Sequence, residues 1–100
     1  MSEPDELIHQ ALRLKLMAAL YAQRTEGPLE FSHLKVLTGA TDGNLGSHLA
    51  ALEKAGYVRI EKDFVGKRPR TRVGVTGAGG RAFRAHVDYL RGIVESAAEA

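Results

Sequence analysis

The sequence contains no cysteine. A disulfide framework and a thiolate metal site are both excluded, and a reducing cytosol fits that composition. No apolar run approaches the ~20 residues that a bilayer-spanning helix needs. The opening MSEPDE is acidic and does not have the pattern of a secretory signal. A cytoplasmic protein is the expectation. His9, His33, His48 and His86 are never spaced i, i+3 or i+4. With cysteine absent as well, a metal sensor is disfavoured and no cofactor is expected. Ser47 and His48 are neighbours, and adjacent positions on a helix do not face each other. No nucleophile–base pair follows, and nothing else suggests an enzyme. No repeat, low-complexity tract or second domain is visible, so residues 1–100 are read as one small domain.

What is present is unevenly distributed charge. The whole chain carries only +2. Residues 1–31 place Arg13, Lys15 and Arg24 against five acids, a net of −2. Residues 57–76 place Arg59, Lys62, Lys67, Arg68, Arg70 and Arg72 against Glu61 and Asp63, a net of +4. A local basic cluster is the electrostatic footprint of a polyanion partner. The plain alternative is a solvated, charged loop.

Apolar spacing predicts a mainly α protein with a small β-hairpin, an α+β chain. Asp5 to Ala22 reads as a first helix, with Ser2 and Asp5 at capping-box spacing around Pro4. Its apolar residues are too many for one stripe, so it is expected to be buried on two sides, one of them against a second copy. Arg24 to Pro28 is a turn by composition, and Leu29 to Phe31 can form a short strand. A second helix, 32–38, is expected to be capped by Ser32 and stopped by Gly39. A third, 41–55, is capped by Thr41 and stopped by Gly56. Residues 57–76 form a hairpin whose strands flank a turn from Asp63 to Arg70. Thr76 caps a last helix, 77–97, in which Phe83, Val87, Leu90, Val94 and Ala97 make a coiled-coil-like seam.

The third helix is the unusual element. Leu45, Leu49 and Leu52 make one apolar stripe. Gly43, Asn44, Ser47, His48 and Ala51 oppose it, and none is a long charged side chain. A solvated face normally carries Lys, Glu and Arg. Small and amide-bearing residues suit a helix pressed against another surface, and the major groove of DNA admits a helix and offers donors and acceptors on its base edges. Asn44 can pair with adenine, and Ser47 or His48 can donate to several edges. Asp42 is expected to support the helix start through the dipole, with acceptance from a cytosine amine as a second role. Lys67, Arg68, Arg70 and Arg72 are expected on phosphates, with Arg68 a candidate for the minor groove. Arg13, within an apolar helix, is expected to pair with an acid; anchoring two subunits and contacting phosphate are the other options.

LIHQALRLKLMAAL (7–20), LEFSHLKVLTGATDGNLGSHLAALEKAGYV (29–58) and VTGAGGRAF (75–83) together resemble the winged helix-turn-helix transcription regulators of bacteria and archaea. The likeness is greatest to stand-alone winged-helix proteins related to the MarR, ArsR and PadR groups. It covers nearly the whole chain, and its specificity lies in DGNLGSHLAALEKAGYV. The resemblance implies a homodimer on double-stranded DNA, with the third helix in the major groove and the hairpin as a wing on the adjacent minor groove or phosphates. Thr41, Asp42, Gly43, Asn44, Ser47 and His48 would then lie at the bases, and Lys67, Arg68, Arg70 and Arg72 at the wing. The first and last helices would form the dimer interface, through Leu7, Ala11, Leu14, Phe83, Val87, Leu90 and Val94. A palindromic operator and repression are further implications; no effector is indicated.

Two departures from the family pattern stand out. Gly46 occupies a position where such proteins usually carry Ser or another helix-former, and it is expected to serve close helix packing or close approach to the DNA backbone. Gly77 to Gly80 is richer in glycine than the usual start of the last helix. Residues 77–82 formally match G-x-G-x-x-G/A, but about twenty residues beyond leave no room for a second parallel strand. A tight strand-to-helix junction is expected instead. The alternative reading of the whole chain is a winged helix used as a protein–protein module in a larger assembly.

Overall fold

The structure, a computed structural model, describes residues 4–99. It contains α1 (Ala11–Ala22), β1 (Leu29–Glu30), α2 (Phe31–Thr38), α3 (Asp42–Lys54), β2 (Val58–Val65), β3 (Arg68–Val75) and α4 (Gly77–Glu99). The strands form one antiparallel sheet in the order β1-β3-β2. This is the expected α+β arrangement.

The core forms where the helices meet the sheet. Leu16, Met17 and Leu20 of α1, Leu34 of α2, the α3 stripe Leu45, Leu49 and Leu52, and Val58 and Val73 of the sheet are all buried. Ile8 completes the cluster from the N-terminal turn. Leu7, Leu12, Leu14 and Ala19 pack against it. The surplus apolar residues of α1 are thus largely satisfied within one chain, because α1 touches α2, α3, β3 and α4 at once. Packing within one chain therefore accounts for most of the apolar surface that the sequence assigns to a second copy.

The first helix is shorter than the expected 5–22. Asp5 to Ile8 forms a separate turn, in which the Asp5 carboxylate accepts from the N–H groups of Leu7 and Ile8. The backbone then extends at Gln10 before α1 starts. Tertiary bonds hold the turn in place: Asp5 accepts from the Tyr57 hydroxyl at 2.7 Å, and its own N–H donates to His86 Nδ1 at 3.1 Å. Ser2, the other half of the expected capping box, lies outside the described residues.

The second helix starts at Phe31, one residue early, and Glu30 stands at its N-cap without a side-chain bond. Ser32 therefore sits inside the first turn and does not cap. The third helix follows the expectation closely. Thr41 Oγ1 accepts from the N–H of Asn44 at 3.2 Å. At the other end Gly56 takes φ +79°, while Tyr57 N–H reaches Leu52 O and Gly56 N–H reaches Glu53 O. That pair of bonds is a Schellman stop.

The hairpin is longer and tighter than expected. Its strands run to Val65 and from Arg68, leaving a two-residue turn at Gly66 and Lys67, with Gly66 at φ +63°. The stretch Asp63 to Arg70 is therefore mostly strand, because Asp63 lies opposite Arg70 and holds it through two bonds. Pro69 is accommodated because β1 pairs only with Arg72 and Val73, which leaves a free edge at the proline.

Thr76 Oγ1 accepts from the N–H of Gly79 at 3.0 Å and so caps α4. Gly79 and Gly80 are buried there. A Cβ on Gly79 would collide with the carbonyl of Tyr57, and one on Gly80 would meet the Tyr21 ring. The glycines make a close-packed joint, and with the sheet wholly antiparallel the dinucleotide reading has no support. Beyond this joint α4 runs out from the body, which accounts for the 58 × 25 × 23 Å shape.

Candidate nucleic-acid interface

The buried stripe of α3 fixes which of its residues face outward. At 3.6 residues per turn, the side opposite Leu45, Leu49 and Leu52 is the line Gly43, Ser47, Ala50 and Lys54. All four are exposed. Three are small, and the helix ends on a lysine near its C-terminus, where the dipole favours a cation. The sequence signal for Lys54 is its i+7 spacing from Ser47, which places it on this line. Asn44 is exposed on the flank nearer α1, and Gly46 lies on the flank nearer the sheet.

The other residues expected here have structural partners. Thr41 uses its hydroxyl oxygen in capping. Asp42 pairs with Lys35 of α2 at 2.7 Å, with both side chains well exposed. His48 is half-buried, and its Nδ1 accepts from Arg13 Nε at 2.9 Å. The expectation that Arg13 pairs with an acid is corrected: its partners are His48 and, at 3.4 Å, the carbonyl of Leu7. Gly46 has nothing within 4 Å of where a Cβ would stand, so helix packing in this chain does not require it.

The basic cluster of residues 57–76 divides in two. Arg59 donates to the carbonyl of Val75. Arg70 grips Asp63 with Nε and Nη2 at 2.9 and 2.7 Å, and Arg72 adds a third bond at 3.1 Å. The Arg70 bond holds the Asp63 carboxyl below the usual carboxylate range, and Asp63 in turn raises Arg70. Arg70 and Arg72 were expected beside Lys67 and Arg68, but the carboxylate takes up much of their charge. Lys62, Lys67 and Arg68 are exposed and form no ion pair among the described residues. Lys62 lines a groove of about 540 Å³ between α3 and the sheet, with Gly46, Ala50, Ile60 and Thr71.

The seven residues expected at a dimer interface are not equivalent. Leu7, Leu14 and Phe83 pack on the core, and Phe83 lies 5.2 Å from the Tyr21 ring. Val87 and Leu90 are half-buried, Ala11 is exposed, and Val94 is 66% exposed. Ile93 beside it is also open.

His86 was not singled out from the sequence. It is fully buried, three residues beyond Phe83 and on the same side of α4. Its Nδ1 accepts from the N–H of Asp5, its Nε2 has no partner among the described residues, and the His9 ring meets it edge-on at 5.4 Å. Burial, and then His9, push its pKa below the ordinary imidazole value, against the opposing pull of Asp5 and Glu6. Among the described residues no three His, Cys, Asp or Glu side chains gather to hold a metal ion. No described helix is long and apolar enough to cross a membrane.

The family description "Winged helix DNA-binding domain" matches residues 12–94, which takes in α1, the α2–α3 pair, the hairpin and most of α4. The chain belongs to this winged-helix family. It is 33% identical over 82 residues to an uncharacterized protein of Methanocaldococcus jannaschii, covering 82% of this chain and 86% of that one. It is also similar to a solved structure described as a transcriptional regulator homologue from Pyrococcus horikoshii OT3. There the TM-score is 0.82 at 28% identity, over 92% of this chain and 88% of the other. The Salmonella typhimurium protein ytfH shares the fold at TM-score 0.71 and 19% identity, over 94% and 80%. In winged-helix terms α2 and α3 form the helix-turn-helix, and β2–β3 stands in the place of the wing.

Proposed function

We propose that this winged-helix protein is a transcription regulator that binds a two-fold symmetric operator as a homodimer and represses by occlusion. The observation that carries the reading is the outward line of α3. Gly43, Ser47 and Ala50 let the helix approach the floor of a groove, while Asn44 beside them offers a donor and an acceptor. Lys54, Lys62, Lys67 and Arg68 are free to neutralise phosphates around that helix. The protein has no catalytic role in this reading.

The homodimer is supported by α4. Twenty-three residues long, it leaves the body with Val94 and Ile93 uncovered and Leu90 only half-covered. A second α4 packed on that seam would bury these residues and set two recognition helices about one DNA turn, ~34 Å, apart. Phe83, Leu7 and Leu14 serve the core first and would border the contact.

Selection from a random duplex library tests the proposal. An inverted repeat with half-sites centred about ten base pairs apart is expected. Val94→Glu should leave the monomer folded, shift sedimentation to the monomer, and weaken binding to the full repeat more than to one half-site. Failure to enrich any duplex would point to a winged helix that binds protein instead.

A further inference from the structure

The wing carries an apolar tip. Phe64 is 71% exposed and Val65 55%, on a strand that needs neither for the core. Side chains alternate along β2, so Phe64 shares a face with Lys62, Ile60 and Val58. Val58 is buried and Ile60 packs on the core, so this face looks toward the body and, at Lys62, into the groove beside α3. Phe64 continues the same face two residues further out, ~7 Å beyond Lys62 at strand spacing. Pro69 is its cross-strand partner. The tip therefore presents an aromatic ring backed by a proline, with the free cations Lys67 and Arg68 next to it.

A ring exposed to this extent on a rigid ribbon gains nothing from the monomer. Its flanking cations favour a polyanion over an apolar protein surface, and the face it occupies leads directly from the recognition helix. The hairpin is stiff where this matters: the Asp63–Arg70–Arg72 cluster lies on the opposite face and ties the two strands just below the tip.

We infer that Phe64 is an apolar wedge that enters the minor groove beside the recognition site and partly unstacks one base step, with Pro69 supporting the ring. The inference rests on the reading of this chain as a DNA-binding protein and adds a specificity-determining residue to it. Apolar side chains inserted from the minor groove kink duplexes in this way. Pyrimidine–purine steps unstack most easily, so the wing favours TA or TG at that position without a hydrogen bond to either base. Lys67 and Arg68 hold the flanking phosphates and leave the salt dependence to themselves.

The test uses the full chain and a duplex selected by it, with 2-aminopurine placed in turn at each step flanking the recognition site. The parent should raise the fluorescence at one step, the mark of an unstacked base. Phe64→Ala should abolish that rise and weaken binding about tenfold, with the slope of affinity against salt unchanged. Phe64→Leu should retain part of both. Parent binding with no fluorescence rise at any step overturns the wedge and leaves DNA binding intact. So does a rise that survives Phe64→Ala. A change in oligomeric state on Phe64→Ala, with fluorescence unaffected, would reassign the ring to self-contact and equally refute the wedge. If no duplex binds the parent, the DNA reading fails and the inference fails with it.

Discussion

Arg13 Nε donates to His48 Nδ1 at 2.9 Å, joining α1 to α3 across 35 positions of sequence. Arginine stays protonated and has no acceptor atom, so Nδ1 must be the accepting nitrogen. With Nδ1 taken as the acceptor, Nε2 is the ring nitrogen left to donate. Arg13 thus selects a tautomer that offers the opposite nitrogen as a donor.

Arg13→Met and His48→Ala should each destabilise the fold by about 1 kcal/mol, and the double variant should cost about 1 kcal/mol less than the sum. A double-mutant cycle by denaturant unfolding reads this coupling. If His48 also meets a base, Arg13→Met should relax preference at the same operator position as His48→Ala. Strict additivity would show the bond to be dispensable.

Two glycines should respond oppositely to alanine. Gly79→Ala drives a methyl into the Tyr57 carbonyl and should cost about 3 kcal/mol or more, if it folds. Gly46→Ala meets open space and should stabilise by about 0.5–1 kcal/mol through helix propensity. Thermal melts give both signs. If Gly46→Ala is more stable yet binds its operator more weakly, the glycine is kept for close approach to DNA.

His86 makes stability depend on pH. Its folded pKa lies below the unfolded value, so the stability it contributes is complete above the ordinary imidazole range near 6.5 and is lost as pH falls through the folded value. The structural reason is that protonation places a hydrogen on Nδ1, where the Asp5 N–H already points. Between about pH 7 and about pH 5 the melting temperature should fall in the parent and fall less in His86→Gln, whose amide oxygen can accept from Asp5. Equal declines would remove His86 from the account.

Much of this was legible in the chain. The stripe of Leu45, Leu49 and Leu52, the Thr41 cap and the Gly56 stop are local signals, and local signals decide a helix that tertiary contacts do not contest. Local signals lose their hold where distant residues intervene. The break between Ile8 and Ala11 depends on Tyr57 and His86, which hold Asp5 in place. The long hairpin depends on Asp63 finding Arg70 across the strands, which composition reads as a charged turn. The same pairing takes Arg70 and Arg72 out of the pool of free cations, and no count of charges could separate them from Lys67 and Arg68. Helical spacing alone puts His48 on the open face, because it cannot see the neighbouring Arg13.

The most direct measurement is the slope of log affinity against log salt for a selected duplex, in the parent, in Lys67→Ala with Arg68→Ala, and in Arg70→Ala. The double variant should lose about two units of slope and weaken on every sequence alike. Arg70→Ala, whose charge already answers Asp63, should lose clearly less than one. A double variant that binds as tightly as the parent with the same slope would contradict the assignment of the wing to DNA.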